Sequence, residues 1–461
     1  MASRFHHKVL EEIGLSSLWS STLDTKLLCM QRFARHFAYG GVALILVAYL
    51  DELSISKTRI GLFMTLTLVG DTIISLFLTA FADGLGRKAT LAVGALLMSA
   101  SGVTFALSGN YWVLLLAAIF GVISPSGNEI GPFRAIEESI LAQLTPVAKR
   151  RDIYAWYSLT GSAAIACSMV LSGWLVNHLR EDLKWTAIRS YRVIFWGYAL
   201  VGMIKFLLAI SLSKAVEVNK EKEIPTAVDP ETTPLLGNNS DEPERKTKSS
   251  IRALLPNISI ESRPIILNLC LLFAVDSFAS GLSPISWITF FFKDKFSLAE
   301  GKLGTIFFVT SAISAVSVPL GSSIARRFGN IKTMVFTHLP SGIFLALMPI
   351  PSSLPLAATF LILRSCSISM DSAPRTAFLA AVVLPRERTA VMGLLNVVRT
   401  SAQCIGPLIS GVLAGKNAIS WAFVAAGCLK AAYDLGMLAV FAGHKMREER
   451  NEGDEDNAPE R

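Results

Sequence analysis

Thr79-Ala80-Phe81-Ala82-Asp83-Gly84-Leu85-Gly86-Arg87-Lys88 is a short charged turn set between two long apolar runs. About 240 residues later the pattern returns as Ala325-Arg326-Arg327-Phe328-Gly329-Asn330, again between apolar runs. Both read as tight basic loops joining helices. A second pair stands at the same offset. Glu129-Ile130-Gly131-Pro132 and Asp371-Ser372-Ala373-Pro374 each bury an acid and a proline in an apolar run, with Arg134 or Arg375 close behind. Two matched features at one offset imply an internal duplication, and in membrane proteins built this way ligand sites lie between the repeats near the bilayer midplane.

Working outward from these loops, apolar runs fall near 27–50, 59–82, 89–108, 111–140, 152–177 and 191–213, then 264–291, 303–325, 333–350, 355–384, 390–414 and 418–441. Crossing a hydrocarbon core takes about 20 helical residues. Twelve such helices use roughly 260 residues, which suits a chain of 461 residues. With 52% apolar and only 17% charged residues, against roughly 25% charged in soluble domains, an ordinary soluble enzyme is excluded. The expected fold is an all-α membrane protein of twelve transmembrane helices in two pseudo-symmetric six-helix bundles, 27–213 and 264–441. Residues 1–26 form an N-terminal tail, 214–263 a linker too polar to fold on its own, and 442–461 a C-terminal tail.

Lys and Arg in the short loops balance between the two sides, so the tails and linker decide orientation. Arg4, Lys8, Lys26, Lys214, Lys220, Lys222, Arg245, Lys246, Lys248, Lys445 and Arg447 share one side, which the positive-inside rule makes cytoplasmic. The sequons at Asn238 and Asn257 then face the cytosol unglycosylated. The net charge of +8 is therefore a topology signal, and no basic stretch is interleaved with stacking aromatics as a nucleic-acid surface requires. Cys29, Cys167, Cys270, Cys366, Cys404 and Cys428 lie in apolar runs without ligand spacing, so packing is expected, with no metal and no disulfide. The N-terminus lacks a signal-peptide pattern. Gly84-x-Gly86-x-x-Ala89 mimics a dinucleotide fingerprint but lacks the preceding strand, and no phosphate-binding G-x-x-x-x-G-K-[ST] loop occurs. No cofactor is expected, and ATP-driven pumping by this chain is excluded.

The loop around Asp83, Gly86, Arg87 and Lys88 resembles the signature loop of the major facilitator superfamily, Asp-x-x-Gly-Arg-Arg/Lys between spans two and three, and the resemblance extends over all twelve spans. Gly84 stands where that family often has a basic residue. The resemblance implies rocker-switch transport of a small-molecule substrate, with these four residues as a conformational latch: the carboxylate caps a neighbouring helix and the arginine pairs with acids. Gly406-Pro407 through Gly411 resembles the family's antiporter motif, but sits in span eleven and not span five. Close helix packing by small residues explains it more simply.

Ionisable groups inside spans are costly and mark function or pairing. Arg134 and Glu138, Asp371 and Arg375, and Lys430 and Asp434 each stand four residues apart, the spacing of a helical ion pair. For Lys430 and Asp434, on an expected peripheral helix, mutual neutralisation is the expectation. For the other four, the repeat favours a cavity role. Asp71, Glu129 and Asp276 have no base at helical spacing. They are the expected proton-coupling acids, since a carboxyl in a partly dry cavity can load a proton from one side and release it to the other. Arg364 and Arg399 each either bind an anionic group or balance an acid. Arg35 and His36 are explained by snorkelling. Counting every embedded charge, Glu137 and Lys205 included, gives near balance, so the substrate's sign stays open. Trp156, Tyr157 and Trp287 either line the cavity or anchor and pack.

Glu231-Thr232-Thr233-Pro234-Leu235-Leu236 has the form of an acidic dileucine signal, read by trafficking adaptors through Glu231, Leu235 and Leu236. It points to a vacuolar or lysosomal membrane, the plasma membrane being the alternative. The expectation is a monomeric secondary transporter, proton-coupled. The alternatives are an uncoupled facilitator, a drug/proton antiporter, or a transporter-shaped receptor or scaffold.

Overall fold

The structure, a computed structural model, describes residues 15–121, 123, 132–217, 262–384 and 387–441. Glu129, the sequons and the Glu231, Leu235, Leu236 signal lie outside the described residues, as do most of both tails and residues 218–261 of the linker. Every regular element among the described residues is a helix. After a short α1 (Leu15–Trp19), the first half holds α2 (Leu23–Glu52), α3 (Lys57–Leu85), α4 (Arg87–Leu107), α5 (Tyr111–Phe120), α6 (Pro132–Leu144), α7 (Val147–Glu181) and α8 (Ala187–Ile210). The second half holds α9 (Arg263–Leu282), α10 (Ile285–Phe296), α11 (Glu300–Phe328), α12 (Asn330–Leu347), α13 (Leu354–Ser367), α14 (Ser372–Val382), α15 (Arg388–Gly415) and α16 (Ile419–Phe441). Seven helical stretches among the described residues are long and apolar enough to cross a membrane.

Local chemistry sets the boundaries. Thr22, Asn110 and Thr186 cap α2, α5 and α8 by accepting from first-turn amides. The duplicated basic loops share one backbone solution: Gly86 (φ 92°) and Gly329 (φ 82°) turn the chain into α4 and α12, a conformation that glycine alone adopts without strain. The fourth, seventh and tenth runs, expected to be continuous, are broken. Pro284 has no amide hydrogen to donate and pushes Ser283 out of helical geometry (φ −128°, ψ 51°), so α9 ends at Leu282. Between α13 and α14 the chain restarts at Ser372, with Pro374 in the first turn. Helix α5 ends at Phe120, where Gly121 leaves helical geometry (φ −92°, ψ 7°), and α6 is described over Pro132–Leu144. Residues 214–217, expected in the linker, instead pack on the first half through a 3₁₀ turn, Lys214–Val216.

The two halves repeat one packing plan. Helix α2 packs on α7 and α4 on α8, matched by α9 on α15 and α12 on α16. Between halves the contacts are α2 with α10, α3 with α15, and α7 with α11. Glycines permit the last two crossings. A side chain at Gly61 would lie 2.6 Å from the Pro407 carbonyl oxygen, and one at Gly173 would lie 2.4 Å from that of Glu300. Gly411 and Gly304 face them. The glycines of the span-eleven motif thus serve close packing, Gly406 against Gly281 and Gly411 against Gly61.

One end of the molecule carries residues 23, 86, 211–217, 263, 329 and 441, and is called here the tail side. At the opposite, far side a single apolar core joins both halves, taking in Leu44, Phe63, Tyr191, Trp287, Phe307 and Phe423. At the tail side each half has its own core: Leu28, Leu91 and Val216 in the first, Leu269, Met334 and Phe441 in the second. The halves are therefore joined at the far side and have separate cores at the tail side.

Candidate functional site

A cavity of ≈ 330 Å³ lies between the halves. Tyr39, Ser162 and Ile165 line it from the first half; Ser283, Thr310, Ser314, Arg364, Ser369, Gln403 and Lys430 are among those from the second. The far-side seal above it is partly ionic. Glu300, at the start of α11, accepts from Arg180 (2.5 Å) and Tyr191 (2.7 Å) of the first half, and pairs with Lys293 (3.0 Å), which also donates to Tyr191. Thr289 donates to the Ala43 carbonyl (3.3 Å) and Trp174 to Thr305 (3.1 Å) across the same seam.

Each half holds a buried ionic network built from its first, fourth and sixth spans. In the first half, Glu137 of α6 accepts from Arg35 of α2 (2.7 Å) and Tyr157 of α7 (2.5 Å), with Lys205 of α8 at 3.8 Å. In the second half, Asp276 of α9 accepts from Lys430 of α16 (2.8 Å) and Arg375 of α14 (3.2 Å). Arg375 also donates to Asp371, and Lys430 to Ser280 (2.8 Å). In both, one carboxylate serves two cations, drawn from α2 and α8 in the first half and from α14 and α16 in the second.

Several expectations change here. Asp276 is not a lone acid, because tertiary packing brings it two bases that its own helix lacks. Lys430 and Asp434 do not neutralise each other: Lys430 reaches across to Asp276, while Asp434 pairs with His338 of α12 (3.0 Å), and both are buried. Arg35 and His36 do not snorkel. Arg35 holds Glu137, and His36 is buried with Nδ1 at 2.9 Å from the Arg32 carbonyl. Arg134 does bond Glu138 (2.7 Å), but its side chain is 51% exposed and stands away from the cavity lining. Asp371 pairs with Arg375, and neither is among the residues lining the cavity. Arg399 lies over the Phe273 ring (5.5 Å) beside a second hollow of ≈ 260 Å³ within the second half. Tyr157 and Trp287 are fully buried, and neither they nor Trp156 line the central cavity.

Besides Arg399, two of the expected site residues have neither a hydrogen bond nor an ion pair among the described residues. Asp71 of α3 is 1% exposed, and neither carboxylate oxygen has a hydrogen bond. Arg364 of α13 lines the cavity with Nε buried and unbonded. The networks around Glu137 and His338 escaped sequence reading, since partners on different helices have no spacing signature. The available signal was the mere presence of Glu137, Lys205 and His338 inside apolar runs.

Around the basic loop, the side chain of Asp83 lies outside the described part. Glu217 accepts from the backbone amides of Arg87 (2.8 Å) and Lys88 (3.1 Å), capping α4. Arg87 donates to Gln143 (2.9 Å) and Lys88 to the Leu212 carbonyl (2.6 Å). The loop and the chain that follows α8 thus form one unit.

This fold and this cavity are those of a membrane transporter. The Major Facilitator Superfamily pattern matches residues 28–337 and 269–460, and the chain belongs to that family. It is 36% identical over 431 residues to an uncharacterized membrane protein of Saccharomyces cerevisiae, covering 91% of this chain and 94% of the relative. It is 24% identical over 239 residues to the quinolone resistance protein NorA of Staphylococcus aureus, covering 52% of each. Among solved structures, a bacterial homologue of the iron transporter ferroportin in an inward-facing state superposes with a TM-score of 0.66 at 14% identity, covering 91% of this chain and 99% of that one.

Proposed function

We propose that the chain is a proton-coupled secondary transporter of a small polar solute, working by alternating access between the bundles 27–213 and 264–441. The tail side is cytoplasmic by its basic residues. The conformation described is then open to the cytoplasm, the state named for the ferroportin homologue. The observation that carries this reading is the contrast between one shared core at the far side and two separate cores at the tail side, with a cavity lined by both halves between them. Opening the far side requires Glu300 to leave Arg180 and Tyr191, and closing the tail side requires the basic loop of Asp83, Gly86, Arg87 and Lys88 to find partners across the cleft.

Asp71 is the coupling group in this reading. A buried carboxyl with nothing to bond is cheapest when protonated, so it carries a proton in one state and sheds it when the bundles rearrange. Glu129 stays a second candidate. An uncoupled facilitator is the rival, and the hydroxyl-rich cavity speaks against an apolar drug as cargo even though the NorA match raises that class. The Glu231, Leu235, Leu236 signal directs the protein to a vacuolar or lysosomal membrane through adaptor binding, with the plasma membrane as the alternative, and the working unit is the monomer.

The test is proton flux in vesicles carrying the purified protein and the pH dye pyranine, challenged with a panel of metabolites. At least one solute should change the internal pH, and Asp71→Asn should abolish that change while leaving solute exchange intact. Solute entry with no pH change in the unmodified protein would establish the facilitator instead.

A further inference from the structure

Among the described residues, the central cavity carries a positive charge with no counterion. Of its two cations, Lys430 is already held by Asp276 and Ser280. Arg364 is not: among the described residues its buried Nε has no hydrogen bond, and no carboxylate lines the cavity. From the opposite half, Tyr39 brings a hydroxyl to the same cavity that is also buried and unbonded. Thr310, Ser314 and Ser369 line the same cavity, the hydroxyls of the last two 2.6 Å apart.

We infer that the transported solute is a small organic anion whose carboxylate or phosphate docks on Arg364 and also accepts from Tyr39. This rests on reading the cavity as the transport site. An unpaired cation away from water is expensive, and a guanidinium matches a carboxylate or phosphate through two parallel bonds. A cationic solute meets repulsion there, with no acid among the described lining residues to offset it. An uncharged apolar solute leaves both Arg364 and Tyr39 unsatisfied. Because Arg364 belongs to the second half and Tyr39 to the first, one anion ties the bundles together, and occupancy favours the state in which both groups reach it.

Thermal unfolding of the purified protein in detergent tests this directly. The probes are benzoate, succinate, citrate, glucose 6-phosphate and inorganic phosphate, set against benzyl alcohol, succinamide, glucose and choline. At least one anion should raise the midpoint in a concentration-dependent way, as a ligand of the native state must; its uncharged counterpart should not. The carboxylate and phosphate arms separate the two anion types. Arg364→Gln should weaken the effective anion at least about tenfold, Arg364→Lys less, and Tyr39→Phe several-fold without altering preference for charge. Arg364→Lys keeps the charge and guards against a folding defect. A midpoint raised equally by the uncharged or cationic probes, full anion affinity in Arg364→Gln, or no response to any anion overturns the assignment. If solute-linked proton flux persists in vesicles despite that result, only the anion class falls. If both fail, the transporter reading falls with it.

Discussion

The two buried networks are variations on one plan. In the first half Glu137 serves Arg35 and Lys205, and among the described residues the buried acid without a hydrogen bond is Asp71. In the second half Asp276 serves Lys430 and Arg375, Asp371 and Asp434 have their own partners, and the expected site cations without an acid among the described residues are Arg364, in the cavity lining, and Arg399, over the Phe273 ring. Each half has an interhelical clamp linking its first, fourth and sixth spans, with the acid on α6 in one and on α9 in the other, and the two halves differ in what they leave unpaired. The first half keeps an acid suited to carry a proton, the second a base suited to hold an anion. Under the proposed function, that division gives a physical route to coupling, because proton and solute would act on different bundles whose relative tilt both must share.

The clamps and the unpaired groups should respond differently to neutralisation. Glu137→Gln or Asp276→Asn strands two buried cations, and each should cost about 3–5 kcal/mol, seen as a large fall in the unfolding midpoint or loss of monodisperse protein. Asp71→Asn removes no partner, and its stability should change by less than about 1 kcal/mol. Equal losses at Asp71 and Glu137 would break the comparison. Next in size, Asp434→Asn should cost about 1–3 kcal/mol by leaving buried His338 without its carboxylate, read from the same melt.

A smaller effect concerns which side is open. Glu300→Gln weakens the far-side seal. In a background without native cysteines, Thr310→Cys should then react several-fold faster with a membrane-impermeant thiol reagent applied from the far side. Gly173→Leu should act in the same direction, since its side chain has no room beside the Glu300 carbonyl. Smallest of all, Arg134→Ala removes an exposed pair and should shift stability by less than about 1 kcal/mol, with solute binding unchanged.

Much of this architecture was legible because membrane helices announce themselves by length and hydropathy, and because the loops at Gly86 and Gly329 repeat. The same two glycines adopt the same unusual φ, so the repeat seen in letters is a repeat in backbone. The breaks were less legible. Pro284 interrupts a run that hydropathy alone reads as continuous. Pairing was least legible. A four-residue spacing offered Lys430 to Asp434, yet rotation of α16 against α9 and α12 gives Lys430 to Asp276 and Asp434 to His338. Sequence spacing reports neighbours on one helix and is silent about the helix beside it. For that reason Asp71 and Asp276 looked alike as lone acids, and packing tells them apart. Arg364 was readable as either an anion ligand or a counter-charge, and the absence of a carboxylate among the described lining residues favours the first.

The most direct test of the divided roles is to make Asp71→Asn and Arg364→Gln side by side and measure both anion-induced stabilisation in detergent and solute-linked proton flux in vesicles. The account predicts that Asp71→Asn still binds the anion but moves no protons with it, whereas Arg364→Gln loses anion binding at the outset. Loss of binding in Asp71→Asn together with retained binding in Arg364→Gln would contradict it.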